Sequence, residues 1–184
     1  MNEPDRTLAL VDRQGVEALL DEVARVMAPQ LEPETALVGL LRRGAPLARM
    51  LAERLERING RAPEVGELLL KRYGDDLTLL HDRPALDEDS LDIDVTGRHL
   101  ILVDDVLYTG ESAFRAAGFL RAAGASRLQI AVLCARDEQF MPVHAEFVGR
   151  RIDVGEGWVI ECSVPPYESE LGIAIKHHST IASD

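Results

Sequence analysis

The chain has 184 residues, 46% of them hydrophobic and 28% charged, which is the make-up of one soluble globular domain, 1–184, with a sizeable core. Aspartate and glutamate outnumber lysine and arginine by 32 to 20, for a formal charge of −12, so recruitment of nucleic acid or anionic lipid by bulk charge is not expected. The amino terminus has no basic segment leading into an apolar one and no run approaches the ~18 apolar residues of a membrane span, so the expected location is cytoplasmic and no membrane partner is foreseen.

Val16, Leu19, Leu20, Val23 and Met27 recur at three and four residues, predicting an amphipathic helix over 12–27 that Pro29 and Pro33 end. It dominates a helical amino-terminal segment, 1–35. ALVGLL (36–41) is a short apolar run, RRG a polar turn, and a second helical pattern runs over 46–58 until Gly60 closes it. VGELLLKRY (65–73) reads as a strand. The acidic, poorly periodic stretch 74–96 reads as a long flexible loop.

Order resumes with HLILVDD (99–105) as a strand, a helix over 112–123, and LQIAVLCA (128–135) as the next strand. Strands alternating with helices predict an α/β fold, a mostly parallel twisted sheet with helices on both faces. HAEFVG, GWVIECSV and GIAIKH read as short strands that extend or flank the sheet, in a carboxyl-terminal part over 137–184. Cys134 and Cys162 lie in apolar runs without CxxC spacing, as expected of buried, reduced thiols.

ILVDDVLYTGESAFR (101–115) carries the chemistry. Two adjacent aspartates at a strand tip bring like charges together, which is unfavourable unless a cation or hydroxyl groups stand beside them. In an open parallel sheet ligands bind outside the carboxyl ends of the strands, where Asp104 and Asp105 are expected. Residues 107–112 then place a glycine between hydroxyl residues at a helix start, where backbone N–H groups and the helix dipole favour an anion such as phosphate. An acidic pair beside a phosphate cradle suggests one ligand carrying both hydroxyls and phosphate, a ribose 5-phosphate.

These residues resemble the phosphoribosyl pyrophosphate (PRPP) binding motif of type I phosphoribosyltransferases. VDDVLYTG is close to the wording of the pyrimidine-operon regulator and uracil phosphoribosyltransferase family. LVGLLRRGAPLA resembles that family's first strand and pyrophosphate loop, YGDDLT its flexible loop, and IAVLCARDEQFMPVHAEFVGRR the strand and hood after the motif, so the resemblance spans about 36–151.

The resemblance implies the type I phosphoribosyltransferase fold with a small hood, and roles residue by residue. Asp104 and Asp105 bind the ribose hydroxyls, directly or with magnesium (Mg2+). Thr109, Gly110, Glu111 and Ser112 hold the 5-phosphate; Arg43 and Gly44 belong to the pyrophosphate loop. The implied reaction is transfer of phosphoribosyl from PRPP to uracil, giving UMP and pyrophosphate. A homo-oligomer, dimer or higher, is the expected assembly.

The pattern departs from the family at identifiable positions. Glu111 stands where an arginine is usual after the Thr-Gly, and Gly74 where an arginine precedes the Asp-Asp of the flexible loop, leaving Arg72 as its substitute. The first helix carries Glu17, Asp21 and Glu22 against Arg25, and the usually basic hood segment reads DEQFMPV. RNA binding is therefore not expected, because phosphate contacts supply much of such affinity.

Base choice turns on two residues. GWVIECSVPPYESELG is closer in pattern to the hood of hypoxanthine-guanine phosphoribosyltransferases, with Trp158 placed to stack on a base. Enzymes for 6-oxopurines, however, have an aspartate just before the Thr-Gly, and Tyr108 offers no anionic acceptor there at neutral pH. Tyr108 favours uracil. The competing readings are an RNA-binding pyrimidine-operon regulator with little turnover and a purine phosphoribosyltransferase.

Other candidates have ordinary readings. The acids over 87–94 form a solvated loop face, and the histidines at 81, 99, 144, 177 and 178 lack metal-ligand spacing, the last two as tail residues. The arginines at 49, 54, 57 and 61 share a helix region with Glu53 and Glu56 and are expected on a solvent face with local ion pairs.

Overall fold

The structure is a computed structural model that describes residues 6–70, 90–136, 139–155 and 157–177. Arg72 and most of the stretch expected to be the flexible loop lie outside the described residues. The chain order is β1 (Arg6–Val11), α1 (Arg13–Met27), β2 (Ala36–Leu40), α2 (Gly44–Asn59), β3 (Glu64–Leu69), β4 (Ser90–Leu91), β5 (His99–Leu107), α3 (Glu111–Ala122), β6 (Arg127–Ala135), β7 (Phe147–Arg151), β8 (Trp158–Ser163) and β9 (Gly172–His177).

The main sheet has the order β4-β3-β2-β5-β6-β7, parallel throughout except for β4 against β3. α1 and α2 cover one face: Val16 and Leu20 of the first and Leu47, Leu51 and Leu55 of the second pack on Leu37, Ile101 and Val103. α3 covers the other, with Ala113, Ala116 and Leu120 against Val38, Leu100 and Leu102. The apolar runs are buried on both faces, as a parallel sheet requires, and each leucine taken from water contributes about 1.5–3 kcal/mol. The α/β layering is thus the one the alternating pattern predicts.

Several element boundaries differ from those expectations. Residues 6–11 are not part of a helical segment: they form a strand, paired antiparallel with β9, which also pairs with β8 in a separate three-stranded sheet. Of the two placements expected for the last strands, β7 extends the main sheet, and β8 and β9 flank it. α1 starts after Asp12, whose carboxylate accepts the Gly15 N–H at 2.9 Å, a cap contributing about 1 kcal/mol. α2 starts two residues earlier than expected, at Gly44.

Charges also sit differently from the solvent-face expectation for Arg54. It is 7% exposed, donates to Asp21 of α1 at 2.7 Å and to the Met50 carbonyl at 3.0 Å, and pairs with Glu17, so it staples α1 to α2. His177 is no tail residue; it pairs with Trp158 across β8 and β9. His178 lies outside the described residues. Cys134 and Cys162 are buried and free.

Candidate active site

The order of the main sheet reverses between β2 and β5, since β3 lies on the far side of β2 and β6 on the far side of β5. Such a switch point leaves a crevice at the carboxyl ends. β2 pairs with β5 only as far as Gly39 opposite Val103, whereas β5 continues beside β6 to Leu107 opposite Ala135. Asp104 and Asp105 are therefore not at the strand's tip, as the sequence suggested. They lie in its continuation, on the edge that β2 has left.

The β2–α2 turn fills that edge. Gly39 and Gly44 are buried, and a Cβ on Gly44 would stand 2.2 Å from the Val103 carbonyl oxygen, so only glycine lets the turn approach β5 this closely. The turn brings Arg43 to the acidic pair: its Nη1 lies 3.7 Å from Asp105 Oδ2. The Leu41–Arg42 peptide is cis. Asp104 Oδ1 accepts the Asp105 N–H and Asp105 Oδ1 the Val106 N–H, both at 2.9 Å, which fixes each carboxylate relative to the strand.

Beyond β5, Gly110 caps α3 with φ +87 and no side-chain hydrogen bond. A Cβ there would meet Val143 at 2.6 Å, so both conformation and space call for glycine. The Thr109 carbonyl accepts the Phe140 and Met141 N–H groups at 2.9 Å, tying the loop to the chain after β6. Thr109, Glu111 and Ser112 are exposed at this helix start, whose leading N–H groups have no partner within the helix.

These elements enclose an open cleft of about 480 Å³ whose lining includes Arg42, Arg43, Asp104, Asp105, Ser112 and Arg115. Leu69 and Leu70, at the end of β3, also line it. The structure thus brings Asp104, Asp105, Arg43 and Ser112 of the sequence-derived set into one cavity.

Tyr108 and Trp158 meet at the adjoining end of β8. The Tyr108 hydroxyl donates to the Trp158 carbonyl at 3.3 Å, and the Arg136 guanidinium lies 4.9 Å over the tyrosine ring while donating to the Val154 carbonyl at 2.9 Å. The Trp158 ring meets His177 edge-on, with centroids 5.1 Å apart. The two candidates are therefore coupled through the main chain of β8, with the indole against β9.

Sequence reasoning missed one prominent group. Glu168, in the turn between β8 and β9, accepts from Arg43 Nε at 3.1 and 3.2 Å and from Nη2 at 2.6 Å. That bond holds the Arg43 pKa above its ordinary value, against the opposing effect of burial, and the Glu168 carboxyl below the usual range. Nothing local to either residue signals a pairing across 125 positions. Arg115 was also missed; it follows Glu111 by one helical turn, a spacing that places both on one face.

Comparison with known proteins accords with this geometry. Residues 15–169 match the family described as Phosphoribosyl transferase domain. The "Bifunctional protein PyrR" of Clostridium novyi is 34% identical over 170 residues, covering 90% of this chain and 95% of that protein. Its namesake from Thermus thermophilus is 38% identical over 136 residues, 73% and 75% of the two chains. Among solved structures, a Trypanosoma cruzi hypoxanthine phosphoribosyl transferase superposes with a TM-score of 0.72 at 16% identity, covering 97% of this chain and 94% of that one. A Bacillus anthracis hypoxanthine-guanine phosphoribosyltransferase gives 0.69 at 19%, covering 92% and 97%; both likenesses concern the fold. The chain belongs to the type I phosphoribosyltransferase family, in the group of proteins called PyrR.

Proposed function

We propose that the protein is a uracil phosphoribosyltransferase, transferring the 5-phosphoribosyl group of PRPP to uracil and releasing pyrophosphate. The observation that carries this reading is the convergence of the acidic pair, the Arg43 turn and the α3 start on one cleft. A ligand with two ribose hydroxyls, a 5-phosphate and a pyrophosphate has a counterpart for each part. Tyr108 carries the choice of base.

In this reading Asp104 and Asp105 accept hydrogen bonds from the ribose hydroxyls, and their negative charge stabilises the positive charge that builds on the ribose as the bond to pyrophosphate breaks. Arg43 receives the negative charge that builds on the departing oxygens. The 5-phosphate rests on the N–H groups of Gly110, Glu111 and Ser112 and on the hydroxyls of Thr109 and Ser112, with Arg115 supplying the cation that position 111 lacks. No covalent nucleophile is required.

The two aspartates suit magnesium, a hard cation that takes oxygen ligands. Among the described residues no cluster of three or more His, Cys, Asp or Glu could hold a metal ion by itself, so a magnesium held at Asp104 and Asp105 would need further ligands from substrate and water. When bound, it supplies charge stabilisation to the leaving pyrophosphate. The test of the proposal is base-dependent pyrophosphate release, in which uracil is used and hypoxanthine and guanine are not.

A further inference from the structure

The connection between β8 and β9 grips the pyrophosphate turn with two consecutive residues. Glu168 takes the Nε and Nη2 side of Arg43, and its Oε2 also accepts the Val164 N–H at 2.8 Å. One residue earlier, the Tyr167 ring lies 5.5 Å beneath the Arg42 guanidinium. Successive residues of one turn thus hold successive arginines of the other.

We propose that this turn is an internal latch, in which Glu168 occupies the guanidinium fork of Arg43 in the free protein and is displaced when the pyrophosphate group of a ligand binds. The inference rests on the reading of the Arg43 turn as the pyrophosphate site. A planar guanidinium presents its paired N–H groups to carboxylate and phosphate in the same bidentate way, so the Nε–Nη2 edge cannot serve both anions at once, and the remaining Nη1 faces Asp105. With Glu168 in place, Arg43 faces two carboxylates, Glu168 and Asp105, and the local charge opposes an arriving polyanion. With Glu168 released, the same arginine attracts it.

The pair is openable. The two side chains are 34% and 28% exposed, so water and an incoming anion can reach both partners. Displacement of Glu168 also removes the acceptor of the Val164 N–H, so occupancy of the pyrophosphate turn loosens the corner that joins β8 to β9. Ligand state at the main sheet is in this way communicated to the second sheet.

Calorimetric titration of magnesium pyrophosphate into the full-length protein, Glu168→Gln and Arg43→Gln tests both layers. A latch predicts tighter binding to Glu168→Gln, by roughly fivefold or more as for coupled sites, and weaker binding to Arg43→Gln. Weakening in Arg43→Gln together with unchanged or weaker binding in Glu168→Gln overturns the latch and leaves the pyrophosphate reading intact. Unchanged binding in Arg43→Gln overturns both. Hydrogen exchange of the unmodified protein gives an independent readout: the Val164 amide exchanges faster at saturating magnesium pyrophosphate, and an unchanged or slower rate contradicts displacement.

Discussion

Arg43 Nη1 and Asp105 Oδ2 lie 3.7 Å apart, a cation and an anion delivered to one point by two strands that separate just beneath them. The pairing answers what two adjacent aspartates need in order to coexist: Arg43 offsets part of their repulsion. It also leaves Asp104 and Asp105 able to accept hydrogen bonds from a ligand.

Changing Asp104 or Asp105 to Asn should lower kcat/KM by about 10²-fold or more, the scale expected when one strong electrostatic interaction is removed from the transition state. Thermal stability should change little, because neither side chain is fully buried. Steady-state kinetics with PRPP and uracil, beside a melting curve, checks both; wild-type turnover in the two variants sinks their assignment.

Glu111 occupies the first turn of α3, where a carboxylate suits the helix dipole but competes with a bound phosphate. Glu111→Arg should therefore lower the KM for PRPP and slightly lower the melting temperature. An unchanged or higher KM, measured at constant uracil, means that the Glu111 side chain points away from the phosphate or has another role.

What the sequence made legible follows from where the information is local. The parallel sheet, the three helices and the chemistry of VDDVLYTG all reside in contiguous runs whose period or spacing is intact. β1 escaped because residues 6–10 are exposed, so RTLALV shows no buried face. β5 looked shorter than it is because acids usually end a buried strand, whereas here β6 goes on pairing after β2 has stopped. Glu168 and Arg54 were misread or missed because their partners sit on other elements, and tertiary ion pairs leave no spacing to count.

His99 is another such case. It is 2% exposed, with Nδ1 3.0 Å from Thr35 Oγ1 and Nε2 2.9 Å from Gln129 Oε1. The Nε2–H tautomer satisfies both: it donates to Gln129, and the Thr35 hydroxyl donates to Nδ1. Burial lowers its pKa below the ordinary value of 6.5, the Gln129 bond opposing and Arg127 assisting, with Glu32 and Glu146 also raising it.

The unfolded chain therefore takes up the proton first, and stability rises with pH between the two pKa values. The contribution is complete above about pH 6.5 and is lost as the pH falls below it, at no more than ~1.4 kcal/mol per pH unit for one proton. Urea midpoints at several pH values should show a steeper acid loss for the wild type than for His99→Gln. Parallel curves contradict the assignment of that loss to His99.

RNA recognition is expected to be weak. The formal charge is −12, and the buried Arg54 of α2 is committed to Glu17 and Asp21 of α1, so that cation is not offered to phosphates. Filter binding to a pyrimidine-operon leader transcript should show no tight, salt-sensitive complex. Nanomolar binding at physiological salt, strengthened by UMP, restores the regulator reading.

The central claim is the choice of base, and a product assay with PRPP, magnesium and each of uracil, hypoxanthine, guanine and xanthine tests it most directly. A polar group left unpaired in a closed site costs about 1–3 kcal/mol, while stacking tolerates any flat ring, so Tyr108 should outweigh Trp158 in selecting the base. Its hydroxyl is already donated to the Trp158 carbonyl, so the group that would go unpaired is the imidazole nitrogen of a purine, which finds no carboxylate at this position. UMP should form with uracil and little product with the purines; Trp158→Ala should weaken base binding and leave that preference unchanged. IMP or GMP formed readily by the unmodified protein, with uracil inert, contradicts the account.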